Sequence, residues 1–230
     1  MQWPTSSEVL IVLPGLTVDS RKREFMYSFF SENTSYMVYV PNIPKRRSLK
    51  SCASWLGGYL ARVVRPERYQ AVHVLAYISG GIVLRHMTIK HPVVHLSRVV
   101  YVRSPIQELT LQLVRERYGG LLLWILQGQL MLDIAAANMD EPEYPLPASG
   151  HGLVIETGVS RLARSLGISA ESVDAGTWDS NRLLPDAKDV IRVPESHDDV
   201  YTSPSLLGAT QYFFAHGRFQ ESEKERSLGE

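Results

Sequence analysis

A serine-containing turn near the middle of the chain and a histidine near its end have the residue types that attack and transfer acyl groups. Ser79 is followed by Gly80 and Gly81, and His197 stands in a polar stretch before the last apolar segment. Nucleophilic acyl chemistry needs an activated hydroxyl, a histidine to take its proton, a carboxylate to orient that histidine, and N–H donors for the oxyanion. The sequence contains a candidate for each of these four parts.

The turn follows an apolar run, Ala71–Ala76, and precedes a helical pattern, Gly80–Lys90. This strand, sharp turn and helix form a nucleophile elbow, which exposes a catalytic serine in sequences of the form Gly-x-Ser-x-Gly. Without gaps, that pattern places Ala76 on the first glycine, Ile78 on the serine and Gly80 on the last glycine. A hydrocarbon side chain cannot attack a carbonyl carbon. The sequence thus predicts an elbow without the usual nucleophile.

The neighbouring Ser79 is the alternative nucleophile. Successive side chains on a tight turn point in different directions, so we expect the Ser79 hydroxyl to face away from His197. In an ordinary elbow this position contributes its backbone N–H. With the N–H groups of Leu16 and Thr17, which follow Gly15, the Ser79 N–H completes the predicted set of oxyanion donors.

His197 is the candidate base, because it lies in a loop between a predicted strand, Val190–Val193, and the final helix. Asp179 is the candidate acid, because it follows a predicted short strand and precedes the histidine in the chain. An aspartate bonded to its own turn is a competing interpretation. Two further aspartates remain alternatives, namely Asp174 and Asp186.

Short apolar runs alternate with helical patterns along most of the chain. Such alternation predicts a parallel sheet with helices on both faces, an α/β, doubly wound and mostly parallel architecture. The predicted strands are 9–13, 36–40, 71–76, 96–102, 152–156, 172–175 and 190–193, and the predicted helices are 21–30, 48–64, 80–90, 159–166 and 204–214.

One long segment, about 106–148, interrupts this alternation. Its part 120–137 is almost entirely apolar, but Gln127, Gln129 and Asp133 lie within it. A membrane span needs about 20 apolar residues with few charges, so no integral membrane segment is predicted. Two interpretations remain open: a helical cap-like insertion over the elbow, or ordinary packing in the core or in a homodimer.

Composition limits the remaining function classes. The 24 basic and 24 acidic residues balance, so no overall field favours nucleic acid, and the basic clusters 21–23 and 45–47 are interpreted as solvated surface. The single cysteine, Cys52, cannot form an internal disulfide. No metal-ligand set or phosphate-binding loop is recognised, so we predict neither metal nor cofactor. The first residues do not form a secretory signal, and we expect a cytoplasmic protein.

Several spaced motifs together resemble the α/β-hydrolase family, in particular its small bacterial lipase- and esterase-like members. The motifs are Leu13-Pro14-Gly15, the elbow at 76–81, the stretch 176–179, and Ser196-His197 followed by Ser203-Pro204 and the helix that ends near 216–219. The resemblance covers residues 8–219, expected as one domain with a disordered tail at 220–230. It implies an acyl-ester, thioester or lipid-like substrate, and the roles of acid and base for Asp179 and His197.

Three functions follow from these residues. The first is a non-catalytic or weakly catalytic protein that has lost the nucleophile and binds a small acyl or apolar ligand or a protein partner. The second is an active esterase, lipase or thioesterase that uses Ser79 with His197 and Asp179. The third is general-base chemistry by the His197–Asp179 pair without a covalent intermediate.

Overall fold

Six parallel strands form the sheet in the described part of the chain, in the order β2-β1-β3-β4-β5-β6. The structure is a computed structural model that describes residues 7–16, 18–64, 68–90, 95–103, 119–120, 124–125, 128–136, 148–165, 167 and 187–220. The strands are β1 (Glu8–Leu13), β2 (Met37–Tyr39), β3 (Ala71–Tyr77), β4 (Leu96–Val102), β5 (Ala148–Gly158) and β6 (Ala187–Ser196). Because all are parallel, their carboxyl ends lie along one edge of the sheet, where open α/β sheets place their binding crevices.

The strands are buried on both faces, which explains their continuous apolar runs. Along β1, Val9 and Ile11 pack into the core on one face, whereas Leu10 and Val12 pack into the core on the other. Each fully buried side chain of this kind stabilises the fold by about 1.5–3 kcal/mol. The sheet therefore separates two apolar cores.

Helices cover both faces, as the alternation predicts. The helices are α1 (Ser20–Asn33), α2 (Leu49–Val63), α3 (Ser79–Lys90), α4 (Gln129–Ala136), α5 (Arg161–Ser165), a short 3₁₀ helix (Val200–Thr202) and α6 (Pro204–His216). Residues of α2, α3 and α4 contribute to one core. Residues of α1, the 3₁₀ helix and α6 contribute to the other.

The start of α2 shows how a distant segment is fixed. Ser48, where the predicted helix 48–64 begins, is its N-cap, since the Ser48 hydroxyl accepts a hydrogen bond from the Ser51 N–H at 3.2 Å. The Asp133 carboxylate on α4 accepts the Leu49 N–H at 2.8 Å. Leu130 and Ile134 on the same helix are buried in the core. This part of the segment 120–137 thus packs in the core, while most of the predicted insertion 106–148 lies outside the described residues.

The strand and helix predictions are confirmed within the described residues, with shifts at the ends. The predicted strand 152–156 extends over Ala148–Gly158 and the predicted helix 159–166 shortens to Arg161–Ser165. The predicted strand 172–175 and the tail beyond residue 220 lie outside the described residues. In the described part of the chain, no helix has the length and apolarity needed to cross a bilayer.

Candidate functional site

The turn between β3 and α3 has the backbone of a nucleophile elbow. Ile78 adopts φ +36°, a left-handed conformation that is rare for a β-branched residue. Such strain costs on the order of 1–3 kcal/mol and persists only where the surroundings enforce it. Here the Ile78 N–H donates to the Val102 carbonyl at 3.0 Å, and the Ile78 carbonyl accepts the Gly81 N–H at 3.0 Å. The half-buried isoleucine at the apex is therefore held by the end of β4 and the first turn of α3.

Gly80 allows α3 to start close to β1. A Cβ atom at this position would lie 2.5 Å from the Leu13 carbonyl oxygen and 2.9 Å from the Leu13 Cβ. Backbone cannot yield as a flexible side chain can, so only glycine fits without displacement of the helix. This is the packing that the last glycine of the elbow pattern provides.

Ser79 lies behind the apex and is 3% exposed. Its hydroxyl oxygen accepts a hydrogen bond from the Leu16 N–H at 3.1 Å. The structure thus brings together two predicted members of the site, Ser79 and Leu16, but the Ser79 hydroxyl takes up the N–H that was predicted to serve an oxyanion. Thr17, the other predicted loop donor, lies outside the described residues.

His197 follows β6 directly, in a turn before the 3₁₀ helix, as predicted. Its side chain is 27% exposed, and its Nδ1 atom lies 3.8 Å from Glu156 Oε2. That distance is too long for a hydrogen bond but suits a charge contact when the imidazole is protonated. Among the described residues Glu156 is therefore the carboxylate paired with the candidate base.

Glu156 is a candidate acid that the sequence motifs do not indicate. It lies two residues before the end of β5 and is completely buried. The sequence feature that could have identified it is its position as an acidic residue at the end of an otherwise apolar predicted strand, 152–156. The predicted acid Asp179 and its alternatives Asp174 and Asp186 lie outside the described residues, so their roles remain predictions.

Glu156 also pairs with Arg103, the residue that follows β4. Arg103 Nη1 donates to Glu156 Oε2 at 2.8 Å, and both side chains are buried. Arg103 adopts φ +49° and its backbone N–H donates to the Val154 carbonyl at 3.0 Å. Buried charges need such partners. The same carboxylate oxygen therefore faces a permanent cation and an imidazole.

Tyr201 connects His197 to the elbow. Its ring lies 5.7 Å from the His197 ring, edge to face, and 4.6 Å from the ring of Tyr77, the last residue of β3. A Cβ atom at Gly15 would collide with the Tyr201 hydroxyl, so the glycine of the β1 loop makes room for it. His197 thus lies at the same edge of the sheet as the elbow.

Both phenols remain protonated at neutral pH. Burial raises the pKa of Tyr77, and Tyr201 and Glu156 raise it further. Burial also raises the pKa of Tyr201, with a smaller contribution from Glu156 in the same direction. Charging either phenol next to a buried carboxylate is unfavourable.

The loop that carries His197 is anchored on both sides. Lys22 Nζ on α1 donates to the Asp198 carbonyl at 2.7 Å and lies 5.3 Å from the centre of the Tyr201 ring. The Asp198 carboxylate accepts the Arg161 N–H at 2.8 Å. The Ser196 hydroxyl donates to Asp199 Oδ2 at 2.6 Å. These contacts hold the histidine in place beside Glu156.

Within the described residues, no group of three or more histidine, cysteine, aspartate or glutamate side chains could hold a metal ion. Cys52 is buried in α2, and burial raises the pKa of its thiol to about 11. A thiol of that kind is a structural group rather than a nucleophile.

Comparison with solved structures shows the fold. The chain is similar to the mature lipase BlEst2 of Bacillus licheniformis, with TM-score 0.63 and 15% identity over 94% of this chain and 93% of that one. It is similar to MGS-MChE2, an α/β hydrolase from a metagenome of lagoon sediments at Mar Chica, Morocco, with TM-score 0.57 and 18% identity over 91% and 92% of the two chains. It is also similar to the RedJ thioesterase of Streptomyces coelicolor, with TM-score 0.56 and 12% identity over 90% and 85%.

No protein-family model and no curated protein matches the sequence. At these low identities the likeness to solved structures shows the architecture and leaves the activity open. The six-stranded parallel sheet and the solved structures that it resembles indicate one architecture. The chemistry of that architecture depends on the side chains at the elbow.

Proposed function

We propose that this chain, which has the α/β-hydrolase fold, lacks covalent catalysis and binds a small acyl or apolar ligand or a protein partner at the elbow. The observation that carries the proposal is Ile78 at φ +36°. The backbone strain that normally serves an exposed serine here supports a hydrocarbon side chain. A branched apolar group at the apex favours an apolar ligand over a reacting carbonyl.

The burial of Ser79 argues against its use as a displaced nucleophile. Its hydroxyl accepts the Leu16 N–H at 3.1 Å and is almost fully buried. To attack a substrate, this oxygen would have to give up that bond and leave the Leu16 N–H without an acceptor. Because this N–H is only partly buried, the loss costs about 1 kcal/mol, a penalty added to every turnover.

The class of ligand follows from the proteins that the chain resembles. Their names, lipase and thioesterase, denote enzymes of acyl esters and thioesters. An acyl chain beside Ile78 would match the apolar surface at the apex. Trp124 and Ile125 are 47% and 58% exposed in the segment 120–137, and they would offer apolar contacts to a homodimer partner.

General-base chemistry is the second candidate, and a specific contact favours it. His197 Nδ1 lies 3.8 Å from Glu156 Oε2, and the imidazole is partly exposed. A histidine beside a carboxylate could accept a proton from water without any nucleophile on the elbow. In the hypothesis that the sequence supports, Asp179 takes the place of Glu156.

A fluorophosphonate probe, p-nitrophenyl esters and a thermal shift assay test these functions together. The proposal predicts no labelling and no ester turnover, with an increase in melting temperature on addition of fatty acids or acyl esters. Labelling that the Ser79→Ala substitution abolishes would overturn it in favour of a displaced nucleophile. Turnover without labelling, lost in the His197→Ala variant but kept in Ser79→Ala, would overturn it in favour of general-base chemistry.

A further inference from the structure

A cavity of about 470 Å³ lies beside the β1 loop, at the same edge of the sheet as the elbow. It is bounded by that loop, by the first turns of α1 and by the loop after β2. Cavities of about 300–1,000 Å³ are typical of small-molecule sites. The cationic residues that line it are Arg23, Lys45, Arg46 and Arg47.

These cations belong to the two basic clusters, 21–23 and 45–47, that the sequence predicts as solvated surface. The fold brings Arg23 of the first cluster to the same cavity as all three residues of the second. Arg23 is half-buried as a whole, but its Nε atom is buried and has no hydrogen-bond partner within the described residues. A buried guanidinium N–H needs a hydrogen-bond acceptor, and an anion in the cavity would supply one.

Hydrogen bonds and close packing hold the loop that carries the other three cations. The Arg47 N–H donates to the Pro44 carbonyl at 3.0 Å, and the Lys45 carbonyl accepts the Leu130 N–H at 3.2 Å. Gly128 packs so closely on the Lys45 backbone that any side chain there would collide with it. All three residues are exposed, while the Lys45 and Arg47 backbone is held in a set position.

The charge of the lining is strongly unbalanced. Among the described residues that line the cavity, Asp19 is the one carboxylate, and its Oδ1 atom already accepts the Lys22 N–H at 2.8 Å as the N-cap of α1. The first turn of α1, where Ser20 also lines the cavity, adds the positive end of the helix dipole. The whole chain has a formal net charge of zero, so this is a local concentration of positive charge.

We propose that this cavity binds a dianionic phosphate group, either free or as the head of an apolar ligand. Four cationic side chains carry more positive charge than a single carboxylate ligand would neutralise. The paired N–H groups of an arginine also match the spacing of two phosphate oxygens. Leu16, Val18 and Ile43 supply an apolar part of the lining. The proposal goes beyond the proposed function, because it depends on neither Ile78 nor His197.

Titration calorimetry with inorganic phosphate and with a medium-chain alkyl phosphate tests the proposal. Both probes are expected to bind, with affinity that falls as salt is added. Arg23→Ala should weaken binding about ten-fold or more, because a hydrogen bond to a charged group is lost. Arg46→Glu should weaken it at least as much. The matched control is Arg21→Ala on the same helix, outside the cavity and exposed, which should leave the affinity unchanged.

The two probes distinguish the sources of the phosphate, and either positive result supports the site. Tighter binding of the alkyl phosphate identifies the head group of an apolar ligand, whereas equal affinities identify free phosphate. No binding of either probe, or binding that Arg23→Ala and Arg46→Glu leave unchanged, would overturn the proposal. Fluorophosphonate labelling of the unaltered protein would overturn the proposed function but not this site, so the two failures are distinguishable.

Discussion

The candidate site has two halves at one edge of the sheet: the elbow half, with Leu16, Ile78, Ser79 and Gly80, and the base half, with Glu156 and His197. In the elbow half the backbone is specialised, with a left-handed apex at φ +36° and a helix start that only glycine permits. Its apex side chain has no reactive group. In the base half the side chains are specialised, with a carboxylate that contacts an arginine at 2.8 Å and an imidazole at 3.8 Å.

This difference separates two contributions to an active site. The elbow is fixed by local sequence and by packing against β1 and β4, and here it forms with a hydrocarbon side chain at its apex. The base half depends on titratable groups from β4, β5 and the loop after β6, which meet only in the folded sheet. A strained backbone alone is therefore not evidence of catalysis, and the predictions below test each half separately.

The largest effect is expected in the base half. Arg103→Met should lower the free energy of unfolding by about 3–5 kcal/mol, because it leaves the buried Glu156 carboxylate without its cation. Urea denaturation followed by circular dichroism measures this change. The double variant Arg103→Met with Glu156→Leu should recover most of the loss. A single variant as stable as the unaltered protein would show that the ion pair does not hold this half together.

The second-largest effect on stability is expected in the elbow half, when a methyl group is added at Gly80. Gly80→Ala should lower the free energy of unfolding by roughly 1–3 kcal/mol, because the new Cβ meets the Leu13 backbone. The matched control is Gly58→Ala on α2, where a Cβ would meet no atom within 4 Å. That change should raise stability by about 0.5–1 kcal/mol, since alanine favours a helix. Equal effects at the two glycines would contradict the close approach of α3 to β1.

A smaller effect is expected from the hydroxyl behind the apex. Ser79→Ala should lower the free energy of unfolding by about 1 kcal/mol, because the Leu16 N–H loses its acceptor. Ser54→Ala is the control, since that hydroxyl lies on the exposed face of α2 and donates to the Lys50 carbonyl. Surface changes of this kind usually stay within about 0.5 kcal/mol. If both variants unfold at the same urea concentration, the hydroxyl does not support the β1 loop.

The sequence predicted the elements of the fold well because their signals are local. The continuous apolar runs predicted β1, β3 and β4, and Ser48 predicted the start of α2. The elbow was also visible, because its strand, turn and helix are adjacent in the chain. Each of these features depends on neighbours within a few residues.

The contacts between distant segments could not be predicted in the same way. Glu156 meets His197 and Arg103 only because β4, β5 and β6 are adjacent in the sheet. Asp133 caps α2 from a segment 84 residues away. Arg23 and the loop 45–47 share a cavity only after β1 and β2 have paired. Such contacts depend on strand order, which composition and periodicity do not determine.

The central claim is that Ile78 occupies the place of the nucleophile, within reach of His197. Fluorophosphonate labelling of the Ile78→Ser variant, followed by mass spectrometry of the modified peptide, tests it most directly. The account predicts that the unaltered protein is not labelled, that Ile78→Ser is labelled at residue 78, and that adding His197→Ala abolishes the labelling. Labelling of the unaltered protein at Ser79, or an unreactive but folded Ile78→Ser variant, would contradict it.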